Sequence, residues 1–120
     1  MLINELSKKT GVTIHTIRYY ENLGLIQGTT DENVKTNNYK RYDDSTVERI
    51  EVIIEAKEVG FTLSEIKTML EQWFDNSSSN EEKLALFTAK ITEIDTKIRQ
   101  FKQMKKRLEK VVKDIETGNC

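Results

Sequence analysis

Proline is absent from this 120-residue chain, histidine and cysteine occur once each, and glycine occurs five times. Without proline, segment boundaries must be read from glycine, asparagine and serine and from the period of the apolar residues. The single cysteine, Cys120, excludes an intramolecular disulfide and a multi-cysteine metal cage. No apolar run approaches the roughly 20 residues of a membrane span. The start, MLINELSKKTGVT, has no basic segment followed by an apolar block, so it does not resemble a signal peptide. A soluble, cytoplasmic protein with no membrane partner is expected. There is no glycine-rich phosphate loop and no pair of acids at a recognisable spacing, so no nucleophile or base can be assigned; neither enzyme activity nor a cofactor or bound metal is expected. A basic excess is also missing. With 19 Lys and Arg against 20 Asp and Glu, the net charge is −1, and any nucleic-acid surface must come from placement of charge.

What is present is a series of short helical periods separated by polar breaks. Ile3, Leu6 and Ser7 share one helical face, Ile14, Ile17 and Leu23 another, and Gly11 lies between them. Thr13 is placed to cap the second segment. Two short helices around a glycine turn form a helix-turn-helix. Residues 24 to 38 are rich in Thr, Asn and Asp, and the flanking pieces Leu25-Ile26 and Tyr39 to Tyr42 are expected to pair as a hairpin, or wing. Ser45 with Glu48, and Thr62 with Glu65, have capping-box spacing and start helices carrying Val47, Ile50 and Ile53 or Ile54, then Ile66, Met69, Leu70 and Trp73. Tyr20, Phe61 and Leu63 read as core.

The predicted organisation is a DNA-binding head over residues 1–74, a hinge loop over 75–80 (DNSSSN), and a long helix with a short tail over 81–120. Leu84, Phe87, Ile91, Ile94, Ile98, Phe101, Leu108, Val112 and Ile115 recur at alternating steps of three and four, with Lys105 in the one missing place. A second register, Phe101, Met104, Leu108, Val111, Ile115, fits equally and implies a local stammer. In either register a head with its own core cannot cover the stripe, and a partner helix is required. The fold class is therefore mainly α: a winged helix-turn-helix followed by a dimerising coiled-coil helix.

Arg18 and Tyr19 point away from the Ile14/Ile17 side and offer a guanidinium and a phenol to phosphate oxygens. A solvated arginine beside a core tyrosine pair has the same local pattern. Read in order, Ile3-Asn4-Glu5-Leu6-Ser7, Thr10-Gly11-Val12, Thr16-Ile17-Arg18-Tyr19-Tyr20-Glu21, Gly24-Leu25-Ile26, Tyr39-Lys40-Arg41-Tyr42 and Gly60-Phe61-Thr62-Leu63-Ser64-Glu65-Ile66 closely resemble the MerR family of bacterial transcription regulators. The resemblance covers roughly residues 1 to 74. It implies a winged helix-turn-helix on double-stranded DNA, with Thr13, His15, Thr16, Arg18 and Tyr19 facing DNA from the second helix. Tyr39, Lys40, Arg41 and Tyr42 do so from the wing. It further implies a homodimer with antiparallel C-terminal helices, on a promoter inverted repeat with RNA polymerase, bending and untwisting the DNA in response to a signal.

For effector binding, Trp73 and Phe74 at the domain junction and Cys120 at the end are the candidates. The bland readings are packing at the helix base and an inert terminal thiol. Lys8, Lys9, Arg18, Lys35, Lys40, Arg41 and Lys57 are expected to converge on one face, whereas the charges of Lys102 to Lys113 read as a solvated coiled-coil exterior. The expected function is a homodimeric, sequence-specific transcription regulator. The alternative is a coiled-coil architectural or adaptor dimer that senses nothing; an excisionase-like head is a third reading, disfavoured by the long heptad helix.

Overall fold

The computed structural model describes residues 1–30, 40–75 and 79–118 and divides into two compact units, Met1–Ser77 and Ser78–Cys120. The first unit contains α1 (Ile3–Thr10), α2 (Ile14–Asn22), β1 (Thr29–Thr30), β2 (Lys40–Arg41), α3 (Asp44–Glu58), α4 (Leu63–Leu70) and one π-helical turn, Glu71–Asp75. The second contains α5 (Asn80–Glu116).

Helices of eight and nine residues are too short to be stable alone in water, where roughly 12 to 15 residues are already marginal. Tertiary packing holds them. Leu6 of α1, Ile17 and Tyr20 of α2, Ile50, Ile53 and Ala56 of α3, and Ile66, Met69 and Leu70 of α4 are all buried, with Leu25, Ile26, Tyr42 and Phe61 from the connections. Helix α1 packs against α2 and α3, and α3 against α4. Each fully buried aliphatic side chain contributes about 1.5–3 kcal/mol.

The caps are set locally. Thr13 and Thr62 accept hydrogen bonds from the backbone of Thr16 and Glu65, and the Glu65 carboxylate returns one from the Thr62 N–H, 2.9 Å, completing the expected capping box. At α3 the expected box of Ser45 and Glu48 is not the one formed. Asp43 is the N-cap, accepting from the Thr46 N–H at 3.2 Å, and the Ser45 hydroxyl donates to the same carboxylate. Asp is as good a cap as Ser, and here it stands immediately before the first helical residue, whereas Ser45 is already the second residue of α3. Leu23, expected on the inner face of α2, is the C-cap residue and is exposed, because the helix ends one residue before it.

The turn between α1 and α2 depends on Gly11, which closes α1 with φ +75° and donates to the Ser7 carbonyl at 2.9 Å. The Ser7 hydroxyl donates to the Val12 carbonyl, 2.6 Å, and that of Thr10 to the Leu6 carbonyl, 2.8 Å. Together these bonds fix the angle at which α2 leaves the turn.

Helix α5 has 37 residues and extends about 55 Å at 1.5 Å per residue. Ser79 caps it, accepting from the Glu82 N–H at 3.2 Å. It carries the ion pairs Lys90–Glu93 and Lys97–Glu93, at 2.8 and 3.2 Å, with the Lys90 side chain buried. Its apolar stripe, from Leu84 to Ile115, is exposed.

A Cβ at Gly11 would meet no atom within 4 Å, so only the left-handed backbone opposes substitution. Gly11→Ala is expected to lower unfolding stability by about 1–2 kcal/mol, read from the midpoint of urea unfolding. An unchanged midpoint would show that the turn does not hold this conformation.

Candidate nucleic-acid interface

The amphipathic pattern of α2 separates what is held from what is presented. Ile17 and Tyr20 are buried, while His15, Arg18, Tyr19 and Asn22, spaced i, i+3, i+4 and i+7, are exposed on one face. Thr13 is exposed and Thr16 half-buried, and their hydroxyls are joined at 2.9 Å. Thr13 therefore has a capping duty in addition to any ligand contact. Tyr19 is 50% exposed and leans on Tyr20, with ring centroids 6.3 Å apart. The Lys57 ammonium lies 6.0 Å from the Tyr20 centroid, within cation–π range.

The hairpin forms, but further along the chain than expected. Thr29 pairs with Arg41 and Thr30 with Lys40, antiparallel. Leu25 and Ile26 form no strand; both are buried in the head core. An apolar pair followed by polar residues is better buried than exposed on a two-stranded ribbon, and this moves the first strand four residues on. All four strand residues are exposed. Arg41 and Lys40 thus stand on the wing, whereas Tyr39, Lys35 and the loop around them lie outside the described residues.

Glu21, on the flank of α2, joins helix to wing. Its carboxylate accepts hydrogen bonds from the Lys40 ammonium and, at 2.8 Å, from the Tyr42 hydroxyl, with a further backbone hydrogen bond from the Gly28 N–H. One side chain therefore grips the residues that lead into β1 and those in and after β2. Burial raises the Glu21 pKa, but the Lys40 and Tyr42 hydrogen bonds and the Lys40 charge outweigh it and leave the pKa below the usual carboxylate value. Tyr42 is pushed up to about 12 by burial, by its hydrogen bond to Glu21 and by that residue's charge, with the nearby Arg18 charge pulling weakly the other way.

Tyr42, expected to face DNA, is only 4% exposed. Its ring lies across Gly28, where a Cβ would come within 2.8 Å of it, and its backbone exchanges two 2.7 Å hydrogen bonds with Met1. It anchors the wing from beneath. Gly28 and Glu21 were not singled out in the sequence because their partners are 7 to 21 residues away and no local pattern marks them.

Of the effector candidates, Phe74 has the Arg49 guanidinium 4.9 Å from its ring centroid, and Arg49 also reaches the Leu25 carbonyl at 3.5 Å. Trp73 is half-buried, and Cys120 lies outside the described residues. Among the described residues, no group of three or more His, Cys, Asp or Glu is gathered to hold a metal ion, and no helix is long and apolar enough to cross a membrane.

A helix-turn-helix with an exposed second-helix face and an adjoining two-stranded wing defines a winged helix-turn-helix DNA-binding protein. The family model described as MerR HTH family regulatory protein matches residues 1–73, and that described as MerR, DNA binding matches residues 47–111. The chain belongs to the MerR family and is a DNA-binding transcription regulator. It is 32% identical over 121 residues to heavy metal-dependent transcription regulator 2 of Rhizobium meliloti, spanning 100% of this chain and 76% of that protein. The structure of PbrR691 from Ralstonia metallidurans in complex with lead(II) is 28% identical, covering 90% of this chain and 82% of that one, with a TM-score of 0.76. The EcmrR–DNA complex in EcmrR-RPo is 25% identical, covering 100% of this chain and 41% of that one, with a TM-score of 0.73. These relatives are transcription regulators, a non-enzymatic class.

The Glu21–Tyr42 pair carries a pH signature. The folded Tyr42 pKa lies above its unfolded value near 10, so its contribution to stability is whole below pH 10 and is lost as pH rises toward about 12. Glu21 is shifted down, so its contribution is present above its unfolded pKa and lost as pH falls through the depressed folded value. Thermal melts between pH 9 and 12 should show the wild type losing stability more steeply than Tyr42→Phe. Parallel curves would show that Tyr42 is not neutral and bonded in the fold.

Proposed function

We propose that this regulator works as a homodimer that reads a promoter inverted repeat, with residues 1–74 as the reading head, 75–80 as a hinge and 81–120 as the pairing segment. The second helix, α2, enters the major groove and presents His15, Arg18 and Tyr19, with Thr13 and Thr16 at its N-terminus. Of the wing, Arg41 meets the flanking backbone, joined on the family resemblance by Tyr39, while Lys40 stands beside it in its ion pair with Glu21. Tyr42 supports this surface from inside. The protein acts by binding, with no catalytic step, in the cytoplasm and beside RNA polymerase at the promoter. It bends and untwists the DNA when a signal reaches the head, and Trp73, Phe74 and Cys120 are the places where a signal would act.

The observation that carries the dimer is the α5 stripe. Leu84, Phe87, Ile91, Ile94, Ile98, Phe101, Leu108, Val112 and Ile115 are 40–66% exposed at coiled-coil spacing. Burying each against a partner helix contributes roughly 1 kcal/mol, and a second copy of α5 supplies the matching stripe. By family resemblance the two helices run antiparallel, so that two heads face one side of the duplex. A non-sensing architectural dimer would bend DNA equally but would not change transcription with any effector.

Two outcomes are expected. Arg18→Ala and Arg41→Ala should each weaken operator binding and flatten the slope of log K against log salt by about one per head, measured by fluorescence anisotropy. Unchanged affinity and slope would remove these residues from the interface. Ile94→Asp with Ile98→Asp should raise the dimer dissociation constant by roughly two orders of magnitude in sedimentation equilibrium, and a variant that stays dimeric would place the interface elsewhere.

A further inference from the structure

We propose that Glu21 is a positioning residue that sets DNA specificity, by locking the wing to α2 and by withholding the Lys40 charge from non-specific phosphate binding. The inference rests on the reading that the wing meets DNA.

The geometry gives Glu21 two effects at one atom group. Its carboxylate holds the Gly28 N–H on one side of the hairpin and Lys40 and Tyr42 on the other. A two-stranded ribbon with two residue pairs is marginal by itself. Its orientation relative to His15, Arg18 and Tyr19 therefore depends on this grip and on the Tyr42 ring seated over Gly28. Glu21 also lies on α2 immediately beyond Tyr20, so the helix that reads bases and the wing that holds the backbone move as one body. The distance between a base-edge contact and a flanking phosphate contact is then fixed, and only a site of matching spacing satisfies both.

The second effect is electrostatic. The Lys40 ammonium is paired with a carboxylate whose side chain is 15% exposed, while Lys40 itself is 44% exposed. A lysine on a wing is ordinarily a sequence-independent phosphate contact that raises affinity for every duplex. Paired with Glu21, it adds little to that background. A chain of net charge −1 thus presents cations at the places that read or register a site and masks one that would bind indiscriminately. This also accounts for an acid standing on α2 beside Arg18 and Tyr19, where repulsion of phosphate would otherwise be a pure cost.

Glu21→Gln keeps the shape and one acceptor oxygen and removes the charge. Titrations of the full-length protein with an operator duplex and with a scrambled duplex, over a range of salt, should show three results. Non-specific binding tightens and its salt slope steepens by about 0.9 per head. The ratio of operator to scrambled affinity falls by roughly tenfold. Adding Lys40→Ala in the Glu21→Gln background removes the added slope. A general loss of folding would weaken both duplexes and could not steepen the slope. If Glu21→Gln melts below the working temperature, Tyr42→Phe, which releases one of the three anchors, should still lower the ratio. An unchanged ratio together with an unchanged or shallower slope overturns the proposal. Arg41→Ala in the same titrations separates the two levels: a flattened slope there with no Glu21 effect leaves the wing on the DNA and rejects only the role of Glu21.

Discussion

A helix of nine residues cannot hold itself, and everything presented by α2 depends on what is buried beneath it. Ile17 and Tyr20 supply that hold, set into a core with Leu6, Ile50, Ile53 and Ile66. Because their faces repeat at helical spacing, burying them necessarily turns His15, Arg18, Tyr19 and Asn22 outward. The left-handed Gly11 and the Thr13 cap then fix where the helix begins. Stability and recognition are two faces of one amphipathic pattern, and a change on the inner face misplaces the outer one without touching it.

The wing extends the same logic with a different force. It has too few apolar residues to dock by burial alone, and apart from Tyr42 its described residues are exposed. Glu21 replaces hydrophobic docking with a half-buried carboxylate that gathers three donors, and its lowered pKa records that the charged form is the one the fold favours. The arrangement is directional, as hydrogen bonds are, so it fixes orientation and not merely proximity. A wing that meets a phosphate at a set distance from a base edge, as proposed, needs that directionality.

Much of this plan was legible in the residues, and where it was not the reason is physical. The capping box of Thr62 and Glu65, the Gly11 turn and the α5 heptads are signals carried within a few residues, and each reappears in the structure. The hairpin register was misread because Leu25-Ile26 has the composition of a strand, whereas the head core had room for both side chains and took them. Tyr42 was placed on the outer surface because the motif Tyr39-Lys40-Arg41-Tyr42 does not show that Tyr42 faces inward; its contacts with Met1, Glu21 and Gly28, distant in sequence, decide it. Glu21 was quoted within the segment that carries the family resemblance, yet its side chain makes its contacts 19 and 21 residues distant, which no local spacing reveals. The coiled-coil register around Met104 and Lys105 stays double, since both sets of apolar residues are exposed on a single helix.

On the proposed reading the pairing helix and the reading head work only together: one α5 leaves a stripe uncovered, and one head reads half a symmetric site. Hydroxyl-radical footprinting on the inverted repeat beside the protein's own gene tests that union most directly. The account predicts two protected half-sites related by a dyad, each with a major-groove segment and a flanking backbone segment, appearing together as protein is added. Protection of a single half-site, or of no repeat at all at concentrations where the protein is dimeric, would contradict it.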